Sequence, residues 1–289
     1  MKFFIKKVLK IIILGTLRLL FFGKIGAFIQ NETTKYIVNK TLLVSHNDCS
    51  LRLSIPNGIC NFRAITFANK EPETLDWIDS MPNDSVLWDV GANVGLYSIY
   101  AAKKRNCTVF SFEPSVFNLE FLARNIFTNN LVSNIFIVPL ALSDKLDISN
   151  FNMGTTDWGG ALSTFDKNYG YDGKDMETVF KYNTIGLSMS DAVEKLKISK
   201  PDFIKIDVDG IEHLILSGGE EILSNIKGIL IEVNDNFEAQ RDVVSDLLTK
   251  SGLTLNDKIH SEMVESSNEF NSIFNSILIG FSAVCKAFY

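Results

Sequence analysis

Val86-Leu87-Trp88-Asp89-Val90-Gly91-Ala92-Asn93-Val94-Gly95 is the stretch that decides the fold of this chain. It begins as a short apolar strand broken by one acid. A glycine-punctuated turn follows, and Leu96, Tyr97, Ile99, Tyr100 and Ala101 then open a helix. A strand that passes through glycines into a helix N-terminus is a nucleotide-binding device. Glycines let the backbone approach a ligand, and the first helical turn presents free N–H groups to it. The turn departs from the dinucleotide fingerprint G-x-G-x-x-G, because Asn93 stands where the second Gly makes room for a pyrophosphate. Asp89 repels a phosphate but suits a ligand that carries a cationic amino group. S-adenosylmethionine has such a group and no phosphate.

A second signal follows at the spacing this device requires. Thr108-Val109-Phe110-Ser111-Phe112-Glu113-Pro114 is another apolar strand that ends in an acid. In Rossmann-like sheets an acid at that strand end accepts hydrogen bonds from ribose hydroxyls, so Asp89 and Glu113 together point to a nucleoside. Strand and helix patterns alternate from Val86 onward. A helix runs to about Lys104, a second from Val116 to about Asn129, and a strand covers Ile135–Leu140. This order implies a parallel sheet with right-handed crossovers.

The alternation breaks over residues 144–190, which are rich in Gly, Asn, Asp, Tyr and Thr. An insertion this long inside a compact domain is usually functional, and it reads as a lid or hairpin over the site, with Trp158 either stacking on a sugar ring or forming a local core under the loop. Helical Ser190–Leu196 leads to a strand at Phe203-Ile204-Lys205-Ile206-Asp207-Val208-Asp209-Gly210 and a helix to about Leu223. A strand over 228–234, a helix over 237–250 and final strands near Leu253–Ile259 and Ser272–Phe281 complete the pattern. Upstream, Tyr36–Ser45 and Leu51–Ile55 read as a hairpin, and Pro72 to Met81 reads as a helix. Three units result: a basic helix over 1–30, a hairpin and lead-in helix over 31–82, and a nucleoside-binding domain over 83–289.

The chain has 289 residues and a net charge of −6, which argues against general nucleic-acid binding. Its four cysteines form no C-x-x-C pair, so neither a zinc site nor a disulfide framework is indicated and a reducing cytoplasm is expected. Residues 1–29 stand apart in composition. They carry Lys2, Lys6, Lys7, Lys10, Arg18 and Lys24 and no acid, interleaved with Phe, Ile and Leu. Read as one helix, all six basic side chains fall within less than half of the circumference. The apolar run is too short to span a bilayer, which needs roughly 20 residues. An interfacial helix drawn to an anionic surface at the inner face of the cytoplasmic membrane is the reading. A helix packed on the domain and a signal anchor are the alternatives.

Ligands of parallel sheets meet the C-terminal strand ends. Lys205, Asp207 and Asp209 alternate along one strand, Glu212 and His213 open the next helix, and Glu232 and Asn234 end the neighbouring strand. Converging ionisable groups of this kind mark a site. Four blocks also carry a resemblance: Asp89 to Gly95, Phe112-Glu113-Pro114, Ala141-Leu142-Ser143-Asp144, and Ile204 to Glu212. In that order they resemble the FkbM family of S-adenosylmethionine-dependent methyltransferases. The family's Lys-x-Asp-x-Glu-Gly-x-Glu pattern is met with Asp209 in place of the first Glu.

The resemblance implies an α/β, Rossmann-like class I methyltransferase with a seven-stranded, mostly parallel sheet, helices on both faces and an antiparallel last strand. It implies O-methylation, often of sugar hydroxyls on glycans or glycosylated metabolites. Residue by residue, it implies that Asp89, Gly91, Asn93 and Gly95 line the methionine end of the cofactor, and that Glu113 holds the ribose. Ser143 or Asp144 would lie near adenine, Asp207 beside the transferable methyl, and Glu71 against cofactor or substrate.

The chemistry leaves two routes open. A hydroxyl must lose its proton as the new bond forms, and Asp207 and His213 are the candidate bases, with Lys205 and Glu212 beside them. Alternatively a divalent metal such as Mg²⁺, bound by Asp207, Glu232 and Asn234, lowers the hydroxyl pKa. Two rival classes remain: a nicotinamide-dependent oxidoreductase, and a non-catalytic peripheral-membrane protein that keeps the fold.

Overall fold

A computed structural model describes residues 2–261 and 284–288. The chain opens with two helices, α1 (Lys2–Leu20) and α2 (Gly23–Val38), bent by 118° at the break between them. The single basic helix expected from the sequence is therefore two. Gly23 takes φ +73°, which ends right-handed helix, and a Cβ on Gly26 would lie 2.2 Å from the Phe21 carbonyl carbon. The shared basic sector consequently holds for the cations of α1 only, and Lys24 stands on α2.

The hairpin strands β1 (Thr41–His46) and β2 (Cys49–Ser54) pair antiparallel through a two-residue turn in which Asn47 has φ 48°. Tyr36 to Val38, read as strand from their alternation, complete α2 instead. A short helix, α3 (Gly58–Ile65), was not expected; Asn57 caps it by accepting the Cys60 N–H. The lead-in helix α4 (Pro72–Ser80) carries Pro72 in its first turn, as read.

The main unit alternates in chain order: β3 (Val86–Val90), α5 (Leu96–Arg105), β4 (Thr108–Phe112), α6 (Val116–Thr128) and β5 (Ile135–Val138). β6 (Ala141–Leu142) precedes the insertion, which contributes β7 (Asp147–Met153), β8 (Ser163–Phe165) and β9 (Phe180–Leu187) and leads into α7 (Met189–Glu194). The chain continues with β10 (Phe203–Ile206), α8 (Glu212–Ser217), α9 (Glu220–Leu223), β11 (Gly228–Asn234), α10 (Glu238–Lys250), β12 (Asp257–Ser261) and β13 (Val284–Phe288).

Seven strands form one sheet in the order β12-β13-β11-β10-β3-β4-β5, and β13 runs antiparallel to both of its neighbours. The last strand is therefore β13, while the expected strand at Ser272–Phe281 lies outside the described residues. Fully buried Trp88, Ile204, Ile206, Ile229 and Ile231 fill one face of this sheet. Leu87, Val109, Ile99 and Tyr100 fill the other. The helix expected to continue to Leu223 breaks into α8 and α9 at Gly218-Gly219. Cβ atoms there would meet the Ser143 carbonyl at 2.5 Å and Met189 Cε at 2.2 Å. The three strands of the insertion join β6 in a four-stranded sheet of order β6-β9-β7-β8.

Candidate active site

A single cleft collects the C-terminal ends of β3, β4, β10 and β11. Gly91 forms its floor at φ +83°. A Cβ there would lie 2.0 Å from the Asp207 carbonyl oxygen, so only glycine lets the turn after β3 pass so close to the end of β10. Asn93 follows in the left-handed region at φ 51°. Its N–H donates to Glu113 Oε2 at 2.7 Å, and its side-chain amide donates to the Gly160 carbonyl at 2.7 Å. Glu113 also accepts the Ser115 N–H through Oε1 at 2.7 Å. The carboxyl thus ties the Gly turn to the end of β4 while lining the cleft. Burial pushes its pKa up to about 7, against the opposing pull of these N–H donors.

The far end of the cleft is a chain of charged and aromatic groups. Lys205 is almost fully buried, and its Nζ donates to Asp207 Oδ2 at 2.7 Å and lies 4.9 Å from the centre of the Tyr97 ring. Tyr97 donates its hydroxyl to Glu71 Oε2 at 2.7 Å, and Lys70 reaches Glu71 Oε1 at 2.8 Å. Glu71, at the start of α4, is thereby brought into the cleft with Lys205 and Asp207. Asp209, the residue that replaces the family's Glu, accepts the Ser163 N–H at 2.7 Å and lines the same space. Burial first, and then the neighbouring Asp207, raise its pKa to about 6. Glu212 is buried beneath it and accepts from Gln240 Nε2, and burial pushes its carboxyl well above the usual range. Glu232 and Asn234 line the cleft from β11; Asn234 is buried and its Nδ2 has no hydrogen-bond partner.

Other expected site residues go elsewhere. Asp89 sits one layer below the cleft lining, bonded to Ser98, which in turn meets Ser111. Its Oδ1 is buried with no hydrogen-bond partner, and burial raises its pKa. Gly95 packs inward: a Cβ at φ +84° would lie 2.4 Å from Leu122 Cδ1, so this glycine lets the β3–α5 turn pack against α6 and does not line the cleft. Ser143 and Asp144 follow the β6–β9 pairing, where the Ser143 N–H donates to Leu187 at 2.9 Å and its carbonyl faces Gly218. The wall where they were expected is made by Leu140, Ala141 and Leu142 instead. His213 lies off the cleft lining and packs on Phe237 at 6.2 Å between ring centres, with burial lowering its pKa. Trp158 packs on Phe121 at 5.0 Å and acts as a local core rather than a sugar platform.

Among the described residues no group of three His, Cys, Asp or Glu side chains converges as a metal site. The set Asp207, Glu232 and Asn234 is a poor fit for a dication, because Lys205 already places a cation on Asp207.

The opposite wall holds residues that the sequence reading missed. Arg63 of α3 donates its Nε to the Gly159 carbonyl at 2.7 Å. Asn118 of α6 accepts the Gly159 N–H at 3.0 Å and donates to Gly160 at 3.2 Å. Together with Asn57, Asn93 and Asp209 they strap residues 158–163 across the cleft. Only the Gly and Trp of the insertion signalled this strap; Arg63 and Asn118 lie in ordinary helices.

The residues present fit S-adenosylmethionine: an apolar end at Leu140–Leu142, a buried acid at the end of β4 bonded to the glycine turn, and that turn held close against the end of β10. A family model described as the methyltransferase FkbM domain matches residues 89–270. The chain belongs to the FkbM methyltransferase family. Membership makes it a methyltransferase domain and removes the nicotinamide alternative.

Two curated relatives are of this kind. The hexuronic acid methyltransferase AglP of Haloferax volcanii is 25% identical over 61% of this chain and 66% of its own length, so slightly less than two thirds of that protein is spanned. The 31-O-demethyl-FK506 methyltransferase FkbM of Streptomyces tacrolimicus is 26% identical over 62% of this chain and 75% of its own length. Among solved structures, M. jannaschii TYW2 in complex with AdoMet aligns at TM-score 0.42 and 12% identity, covering 86% of this chain and 84% of that one. That likeness is too loose to bear on function.

Proposed function

We propose that this methyltransferase acts on a sugar hydroxyl of a glycan or glycosylated metabolite, with Asp207 as the proton acceptor. The observation that carries the reading is the oxygen-seeking end of the cleft. The buried donor Asn234 Nδ2 has no partner, and β11 sets Glu232 beside Asp207, one residue beyond the Ile206–Ile231 pair. An unpaired buried donor is costly, and a hydroxyl-rich ligand satisfies it. The hexuronic acid specificity in the name of the AglP relative supports the same class.

S-adenosylmethionine supplies an electrophilic methyl group when bound. The chain's own residues hold the acceptor and move its proton. A hydroxyl is a weak nucleophile, so a positioned base takes its proton as the C–O bond forms. Lys205 fixes the direction of the Asp207 carboxylate, and its Nζ lies over the Tyr97 ring, whose hydroxyl is bonded to Glu71. Asp207 is the candidate base that faces the cleft, whereas His213 does not line it.

The test supplies methyl-labelled S-adenosylmethionine with uronic acid glycosides, neutral glycosides and phenols. Label in an alkali-stable ether on a glycoside is expected; label on phenols alone overturns the sugar reading. Asp207→Asn is expected to lower turnover by about 100-fold or more while cofactor affinity stays close to wild type. His213→Ala is expected to leave turnover near wild type, and the reverse pattern would move the base to His213.

A further inference from the structure

The two N-terminal helices expose their apolar side chains instead of burying them. Phe22 is 85% exposed, Ile25 77% and Phe28 67%, and Phe4, Leu9, Ile11 and Ile12 of α1 are each more than half exposed. A contiguous apolar surface of this kind marks an interaction site. Charge decides the partner. Residues 1–29 carry six cations and no acid in a chain whose net charge is −6. On α1 the cations share one sector with Ile13, Leu14 and Leu17, and Ile5, Val8, Ile12 and Leu19 occupy the opposite side.

Spanning a bilayer is a poor fit. Among the described residues no single helix is long and apolar enough to cross, and α1 and α2 together reach that length only through their 118° bend. That route would put Arg18 and broken backbone hydrogen bonding into hydrocarbon. Lying in the interface satisfies both faces: apolar side chains enter the acyl boundary while the cations meet headgroups.

We propose that α1 and α2 form a docking surface for an anionic lipid bilayer, of the kind found on the cytoplasmic leaflet. The surface is rooted in the catalytic unit. Val38, the last residue of α2, packs on the cluster of Cys60, Val94 and Phe121 together with Trp158, and Arg124 reaches the Asn39 side chain at 3.4 Å. The anchor therefore joins the enzyme at the Gly turn and at the strap, the two elements that enclose the cofactor cleft. The proposal does not depend on the identity of the acceptor.

Flotation of the full chain with phosphatidylcholine vesicles, with and without phosphatidylglycerol, tests it. The chain is expected to float with the anionic vesicles at low salt, and to do so less as salt rises. The triple variant Lys6→Glu, Lys7→Glu, Lys10→Glu is expected to lose about 100-fold or more in partitioning to anionic vesicles, with S-adenosylmethionine binding unchanged. Should that variant fail to fold, Phe22→Asp with Phe28→Asp is expected to abolish flotation with cofactor binding intact. Equal flotation with neutral and anionic vesicles overturns the proposal. So does a wild-type chain that stays in solution with anionic vesicles at low salt, and sedimentation as a stable dimer that ignores vesicles would show the apolar faces covering one another.

Discussion

The two walls of the cleft are built in opposite ways. The cofactor wall comes from one short piece of chain: β3, the turn through Gly91 and Asn93, and Glu113 at the end of β4. Its parts lie within a few residues of one another or on adjacent strands. The facing wall is assembled from α3, the strap at 158–163, α6 and the end of β10, and its hydrogen bonds span 96 residues from Arg63 to Gly159 and 46 from Ser163 to Asp209. A wall made of local backbone geometry tolerates almost no change at its glycine. A wall made of many separate hydrogen bonds should lose function in increments.

The largest effect is therefore expected at Gly91. In Gly91→Ala the new Cβ meets the Asp207 carbonyl at 2.0 Å, at a φ that disfavours any side chain. A stability loss of about 2–5 kcal/mol is expected, together with loss of detectable S-adenosylmethionine binding, by thermal melting and calorimetry. A variant that binds normally would show that the turn moves freely, and the contrast between the walls would break.

Asn118→Ala sharpens the other side. It removes the partner of the Gly159 N–H and one of two donors to Gly160, while Arg63, Asn93 and Asp209 still hold the strap. A loss of about 1–2 kcal/mol in stability and a cofactor affinity weaker by roughly tenfold are expected. An effect as large as that of Gly91→Ala would make the strap one cooperative unit rather than a set of separate contacts.

The smallest effect is a pH dependence at the seam between the walls. Burial holds the free Glu113 carboxyl at about 7, above its usual 4.5. Folding therefore favours the protonated form. The contribution is full below about 4.5 and falls away as pH rises to about 7. A nucleoside that donates hydroxyls favours the carboxylate instead, so cofactor affinity is expected to rise with pH toward about 7 and then level off, with a proton released on binding. Calorimetry in buffers of different ionisation heat measures that proton, and Glu113→Gln should flatten the slope. A wild-type slope unchanged in this variant would assign the proton to Asp209, whose pKa is raised to about 6.

The alternation of strands and helices from β3 to β11, the nucleoside turn, Glu113, and the gathering of Lys205, Asp207, Glu212 and Asn234 at neighbouring strand ends are all legible in the sequence. These follow from alternation and from glycine and acid placement, which act over a few residues and leave a local imprint. Tertiary structure decided the rest. It turned Gly95 inward onto Leu122, carried Ser143, Asp144 and His213 away from the cleft, and made Trp158 a packing anchor. It recruited Arg63, Asn118 and Gln240 from helices whose sequence carried no site signal. It also split the basic N-terminal segment at Gly23 and Gly26. The physical reason is the same in each case. Which side of an element faces a ligand depends on what packs against its other side, and that neighbour comes from a distant part of the chain.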